Sequence, residues 1–194
     1  MGKHKLEALR TAANNGDPQA QYQLAMRYIY GDEVEEDNDL AFSLLTSAAS
    51  KDHAEAIYNL AICYHYGYGT EPDLEKAYAL YRKSAHMGYG KGCAMVGEFY
   101  YNGVYVARDY RQAVLWFQRA ADSGDIAAVA YGQFLLGRCC ELGNGLSQST
   151  EVAMEWYRKS ADNGDSRGKA ALTRLTGQRR NNGNSTIFET KENL

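Results

Sequence analysis

The side chains that could do chemistry are few. Four histidines, His4, His53, His65 and His86, never pair at the four-residue spacing by which one helix face presents two imidazoles to a metal. Four cysteines, Cys63, Cys93, Cys139 and Cys140, form no Cys-x-x-Cys. Without a paired histidine they read as reduced, buried thiols, not as a disulfide frame or a zinc site. Gly-x-Gly occurs at Gly67-Tyr68-Gly69, Gly88-Tyr89-Gly90, Gly90-Lys91-Gly92 and Gly143-Asn144-Gly145. Each piece follows a helical pattern where a phosphate cradle would follow a strand. No grouping of Ser, His and acid stands out. The expectation is no catalytic residue, no metal and no cofactor.

The chain of 194 residues carries a formal net charge of −3, with 45% hydrophobic and 23% charged residues. That is apolar material enough for one soluble domain with a core, and too little imbalance for a charged tail protein. Nothing reaches the roughly 18 consecutive apolar residues of a membrane helix, and MGKHKLEALRTAANNGD at the start has no apolar run for a secretion signal. The expected address is the cytoplasm, with no membrane partner. Two skews need a cause: 19 Gly against 2 Pro, and 16 Tyr against 5 Phe.

Both trace to an internal repeat. Leu24-Ala25, Leu60-Ala61, Val96-Gly97 and Leu136-Gly137 recur, followed by Tyr28, Tyr64, Tyr100 and Cys140 and then by Gly31, Gly67, Gly103 and Gly143. Ala41, Ala77, Ala113 and Ala153 come next, then Ala49, Ala85, Ala121 and Ala161, with steps of 36, 36 and 40 residues between copies. Each copy predicts two helices. Ala20, Leu24, Tyr28 and Gly31 fall on one stripe of a 3.6-residue helix, as do Ala113, Phe117 and Ala121 in a second helix. Small residues alternate with large ones along both stripes, so the two helices can interlock.

Asp37, Asp73, Asp109 and Ser149 stand where the second helices need amide caps. Gly16, Gly88, Gly124 and Gly164 suit the left-handed residue that closes a helix, and Asp17-Pro18 and Asp125 open the next one. Asp52 replaces that glycine in the first repeat, which predicts a differently shaped turn there. The four extra residues in DIAAVAYGQFLLGRCCELG predict a first helix longer by one turn. His53 and His86 are expected exposed near second-helix ends. The divisions are a half-repeat at about 5–16, repeats at about 17–52, 53–88, 89–124 and 125–164, a closing helix at 165–177, and a polar, mobile tail at 178–194.

These residues resemble the Sel1-like repeat family, a relative of the tetratricopeptide repeat with the pattern A-x-x-x-L-G-x-x-Y-x-x-G, a short loop with Asp, then K-A-x-x-W-Y-x-K-A-A-x-x-G. Here it stands as AIYNLAICYHYGYGTEPDLEKAYALYRKSAHMG from Ala56, with Trp116-Phe117 and Trp156-Tyr157 in later copies, over about residues 5–177. The resemblance implies an all-α, right-handed α/α superhelical solenoid of about four helix hairpins plus terminal helices. It also implies an adaptor or scaffold role, toxin immunity or effector assistance in bacteria among them. A secreted, cysteine-rich branch of the family carries two cysteines about eight residues apart in each repeat and is linked to penicillin binding. Eight before Cys93 stands Ala85, and the other copies lack the pair. The resemblance therefore does not carry disulfides over, and a cell-wall or β-lactam-binding hydrolase-like protein stays the alternative.

Subtracting the residues that build the repeat leaves a candidate surface. Tyr28, Tyr64, Tyr81, Tyr100 and Tyr157 are assigned to the core. By the tetratricopeptide analogy the first helices line the concave wall. The residues free to face it are Tyr22, Met26, Ile29 and Tyr30; then Glu55, Tyr58, Ile62, His65 and Tyr66; then Lys91, Glu98, Tyr101 and Asn102; and finally Tyr131, Phe134, Arg138 and Glu141. A Tyr-rich wall with Met, His and Arg has the composition of a protein interface. The expected partner is another protein or peptide. No basic stripe interleaves the tyrosines, which argues against nucleic acid. Self-association through the terminal helices is a further expectation.

Overall fold

Short polar side chains open nearly every helix of this protein. The computed structural model describes residues 2–189, with side chains from 4 to 178. Its helices are α1 (Gly2–Asn14), α2 (Pro18–Tyr30), α3 (Asn38–Ala49), α4 (Ala54–Tyr66), α5 (Leu74–His86), α6 (Gly90–Asn102), α7 (Tyr110–Ala121), α8 (Ile126–Leu142), α9 (Thr150–Asp162) and α10 (Ser166–Glu189). The side chains of Asp17, Asp37, Asp73, Asp109, Asp125 and Ser149 accept backbone N–H bonds at the starts of α2, α3, α5, α7, α8 and α9. First helices close on left-handed Gly31, Gly67, Gly103 and Gly143. The cap residue beyond each loop ties it back: the amides of Asp37, Asp73, Asp109 and Ser149 donate to the carbonyls of Tyr28, Tyr64, Tyr100 and Cys140.

The hairpins α2–α3, α4–α5, α6–α7 and α8–α9 stack in order, flanked by α1 and α10, and each helix packs on the one before and after it. This is the expected all-α solenoid, with no strand among the described residues. Two close approaches set the spacing. Within a hairpin, a methyl added to Gly97 would lie 2.5 Å from the Phe117 ring, and one added to Gly137 would lie 2.6 Å from Tyr157. Between hairpins, a methyl on Gly132 would lie 2.6 Å from the Ala121 amide nitrogen and 2.8 Å from the Phe117 carbonyl. Gly92 and Gly168 meet α5 and α9 in the same way. Ser84 and Ser160, both fully buried, donate to the carbonyls of Ala54 and Ala130 at 3.1 and 2.8 Å, pinning second helices to the first helices of their own hairpins.

Five expectations change, the last of them at the closing helix. Asp52 keeps the left-handed turn, with φ at 57° beside 86°, 87° and 91° for Gly16, Gly88 and Gly164; aspartate is among the residues that tolerate it. Gly124 is the residue that leaves that region, in the turn ahead of the lengthened helix. His53 is no exposed end residue: it caps α4, its Nδ1 accepting from the Ala56 amide at 3.2 Å while Nε2 meets Gln19 Oε1 at 2.9 Å. Tyr81 and Tyr157 are fully buried, but Tyr28, Tyr64 and Tyr100 are half-buried, packed against the core from its edge. His86 is exposed, as expected.

The lengthened first helix is present: α8 has 17 residues where α2, α4 and α6 have 13. Helix α10 continues through Gly177 to Glu189, beyond the expected end of the closing helix. Residues 190–194 of the polar tail lie outside the described residues.

Two measurements test this packing. Gly132→Ala should lose about 1–3 kcal/mol in urea unfolding, because the methyl meets backbone that cannot turn aside. Gly177→Ala should gain about 0.5–1 kcal/mol, because its methyl meets nothing within 4 Å and alanine is the better helix former. Equal shifts would refute the close-approach account. Burial also raises the core phenols: Tyr58 and Tyr78 are pushed up to about 12 from the usual 10, and Tyr81 and Tyr157 higher still. A pKa raised by folding contributes stability below the unfolded value and loses it as pH climbs through the folded one. Stability should therefore drop between pH 10 and about 12. Unfolding at constant denaturant, followed against absorbance of the phenolate, reads this; phenols that all ionise near 10 without unfolding would contradict it.

Candidate partner-binding groove

First helices approach one another across neighbouring hairpins, α6 against α8 and α8 against α10. That closeness places them on the inner layer of the stack. The extra turn of α8 lies at its N-terminal end, so the register of the wall survives it. Met26, Ile62, Glu98, Arg138 and Arg174 occupy one register position on successive first helices; Tyr30, Tyr66, Asn102 and Leu142 occupy another. The wall changes character along its length.

Its N-terminal part is aromatic and open. Tyr30 is 74% exposed, Tyr66 57% and Tyr68 49%. Tyr30 and Tyr68 line a cavity of about 200 Å³ together with Met26, Ile29, Ala41, Ile62 and Cys63 and with the polar Asn38 and Asn59. Tyr22, Met26 and Tyr30 also border a second cleft of about 480 Å³ that reaches Leu9 of α1. The Tyr66 ring lies parallel to His65 with centroids 4.4 Å apart, and Tyr68 continues the stack at 5.8 Å. His65 itself faces Phe99 and the Tyr81 hydroxyl, 3.4 Å from its Nδ1. Burial lowers its pKa from the usual 6.5 although Glu98 opposes that shift, so the ring is neutral at pH 7.

The middle of the wall is largely taken up by packing. Packing also holds Tyr22, back on α2, against His53 at 5.0 Å. Tyr58 packs on Tyr81 and Tyr89, and Tyr101 on Phe117 and Tyr110. The Tyr101 hydroxyl accepts from Asn144 Nδ2 at 2.8 Å. Asn102 is exposed at the end of α6.

Charge and rings interleave at the far end. Tyr131 donates to Glu98, and the Arg167 guanidinium lies 3.9 Å over the Tyr131 ring. Phe134 packs on Tyr157 and stacks with Tyr131. Arg138 lies over Tyr101 at 5.1 Å and over Phe134 at 6.0 Å. Glu141 accepts from the Tyr157 hydroxyl at 2.7 Å and pairs with Arg174 at 2.7 Å.

The structure thus gathers Met26, Tyr30 and Ile62 around one cleft, with Tyr66 exposed beside it against the Tyr68 ring, and Phe134 and Arg138 with Glu141, Tyr157 and Arg174 around another at the far end, where Tyr131 stacks on Phe134. Tyr58 and Tyr101 serve packing, against rings of their own hairpins and against Tyr89 and Asn144 of the next. Tyr68 and Arg167 escape sequence reasoning. Tyr68 sits in a loop between two glycines, and nothing local shows that the loop folds over α2. Arg167 belongs to the closing helix, beyond the last complete repeat. Among the described residues no group of His, Cys, Asp or Glu could hold a metal ion, and no helix is long and apolar enough to cross a membrane.

The family model of the Sel1 repeat matches residues 18–53, 54–89, 90–125 and 130–165, skipping the four residues of the extra turn. Among curated proteins none matches the chain. Of solved structures, a Sel1 repeat protein from Oxalobacter formigenes is 30% identical over 81% of this chain and 62% of its own, with a TM-score of 0.75. The protective antigen c5321 of uropathogenic Escherichia coli strains, which displays an SLR fold, is 32% identical over 82% of this chain and 33% of its own, with a TM-score of 0.74. This chain therefore spans less than two thirds of either. Cysteine rich protein B of Helicobacter pylori shares the fold at 22% identity over 73% of this chain and 99% of its own, with a TM-score of 0.54. With four in-phase matches over most of its length, the chain belongs to the Sel1 repeat family.

Proposed function

We propose that this chain is a non-enzymatic interaction module that holds a segment of another protein along the inner faces of its first helices. The observation that carries this reading is the open cleft between α2 and α4. Tyrosines that a monomer has no reason to leave exposed stand around an apolar cavity floored by Met26, Ile29 and Ile62. Tyr and Met are the residue types enriched where proteins bury surface against one another, and a rigid ring with a polar tip loses little entropy on binding. The Sel1 repeat is a module of the protein-interaction type, and its stacked hairpins offer a long inner surface for such a segment.

The combined substitutions Met26→Ala, Tyr30→Ala, Tyr66→Ala and Tyr68→Ala should leave helicity by circular dichroism unchanged. They should also lower retention of partner proteins from native lysate at least about tenfold. Leu115→Ala, at an exposed position on α7, should leave retention intact. Capture of every partner at wild-type level by the fourfold variant would sink the reading.

The cysteine-rich branch of the family suggests the rival, a cell-wall or β-lactam-binding protein held by disulfides. Here Cys63, Cys93, Cys139 and Cys140 are free and buried. Burial pushes the Cys63 thiol up to about 11 and that of Cys139 to about 12, so little thiolate is present at neutral pH. A thiol reagent should find almost nothing in the native protein and four thiols after unfolding without reductant; two or fewer would favour the rival.

A further inference from the structure

Along the register position that begins with Met26 and Ile62, side chains turn from apolar to charged: Glu98 on α6, Arg138 on α8, Arg174 on α10. The neighbours of Arg138 are mutually satisfied. Arg174 pairs with Glu141 at 2.7 Å, Arg167 with Asp165 at 2.7 Å, and Glu98 accepts the Tyr131 hydroxyl. Arg138 makes no hydrogen bond or ion pair with any described residue. Its half-buried guanidinium is held only by the rings of Tyr101 and Phe134.

A guanidinium set against aromatic rings with no acceptor of its own has its rim of N–H donors free. That rim matches the two oxygens of a carboxylate, and charge-assisted pairs of this kind are about twice as strong as neutral hydrogen bonds. The rings also fix the side chain in advance, so an arriving acceptor does not have to order it. Immediate surroundings choose among anions. Glu98 on α6 and Glu141 three residues further along α8 share the wall with Arg138, and they repel a run of phosphates more than a single carboxylate.

Resting on the groove reading above, we propose that Arg138 is a carboxylate-recognition residue. The bound partner segment carries an Asp, a Glu or a terminal carboxylate that forms a two-toothed pair with its guanidinium, while apolar side chains of the same segment fill the Met26–Ile62 cleft. The groove thereby reads direction as well as composition, apolar toward α2 and acidic toward α8.

A random peptide library displayed on phage, panned against the full-length protein, tests this. The recovered peptides should share an acidic residue at a constant distance from an apolar one. Changing that acid to its amide in a synthetic peptide should weaken binding to wild type about tenfold. Arg138→Gln should weaken the acidic peptide by a similar factor and leave the amide peptide unaffected, so that the two changes are not additive. Arg138→Lys, which keeps charge and loses the fork, should fall between. Circular dichroism of both variants should match wild type.

Peptides without a shared acid, or equal losses for acid and amide on Arg138→Gln, would overturn the assignment. Peptides that need Met26 and Tyr66 but ignore Arg138 overturn it while the groove reading stands. Peptides indifferent to all three residues, or none recovered, overturn both. Displacement by a single-stranded oligonucleotide as effective as by the acidic peptide would also overturn it.

Discussion

Helix pairs in this protein come so close that at several crossings there is no room for a methyl group. The rings of Phe117 and Tyr157 lie against Gly97 and Gly137, and Gly92, Gly132 and Gly168 press on the backbone or small side chains of the preceding hairpin. Contact at that distance gains dispersion along the whole crossing and lets Ser84 and Ser160 reach main-chain carbonyls. It also fixes each hairpin against the next. Everything that faces the inner wall inherits its spacing from those crossings.

Because the framework is repetitive, the wall need not be. Structural positions are filled by the same residue classes in each copy, and the remaining first-helix positions are free to differ. They differ in order: exposed tyrosines and an apolar cavity between α2 and α4, packed rings in the middle, and arginines interleaved with acids from α8 onward. Adding one whole turn to α8 preserves that order, since close to four residues return a helix to the same face. The turn before it changes instead, at Gly124.

Much of this was legible in the residues. Recurrent Ala, Gly and Tyr at constant offsets show hairpins, their caps and the lengthened helix, because those features depend on contacts a few residues away. The tyrosines were harder to divide. Tyr30 and Tyr58 look alike as non-repeat positions of first helices, yet Tyr30 is 74% exposed while Tyr58 lies against Tyr81 and Tyr89. Their difference is made by what packs on them: Tyr81 of the same hairpin and Tyr89 ahead of the next one cover Tyr58, whereas Tyr30 borders a cleft with Ile62 and Tyr68 and stays open on its other side. His53 differs from its expected place for a related reason: the sequence puts it after one helix, while its ring accepts from the first turn of the next.

By itself, then, the sequence determined the repeat, the all-helical class, the caps and the small-residue crossings, since each follows from periodicity and local hydrogen bonding. Tertiary structure alone decided which tyrosines remain open, where the loop carrying Tyr68 folds, and that Arg138 on the inner wall, unlike Arg167 and Arg174, is left without an acid. Those are questions of what arrives from a neighbouring hairpin some thirty or more residues away, and no local pattern records that distance.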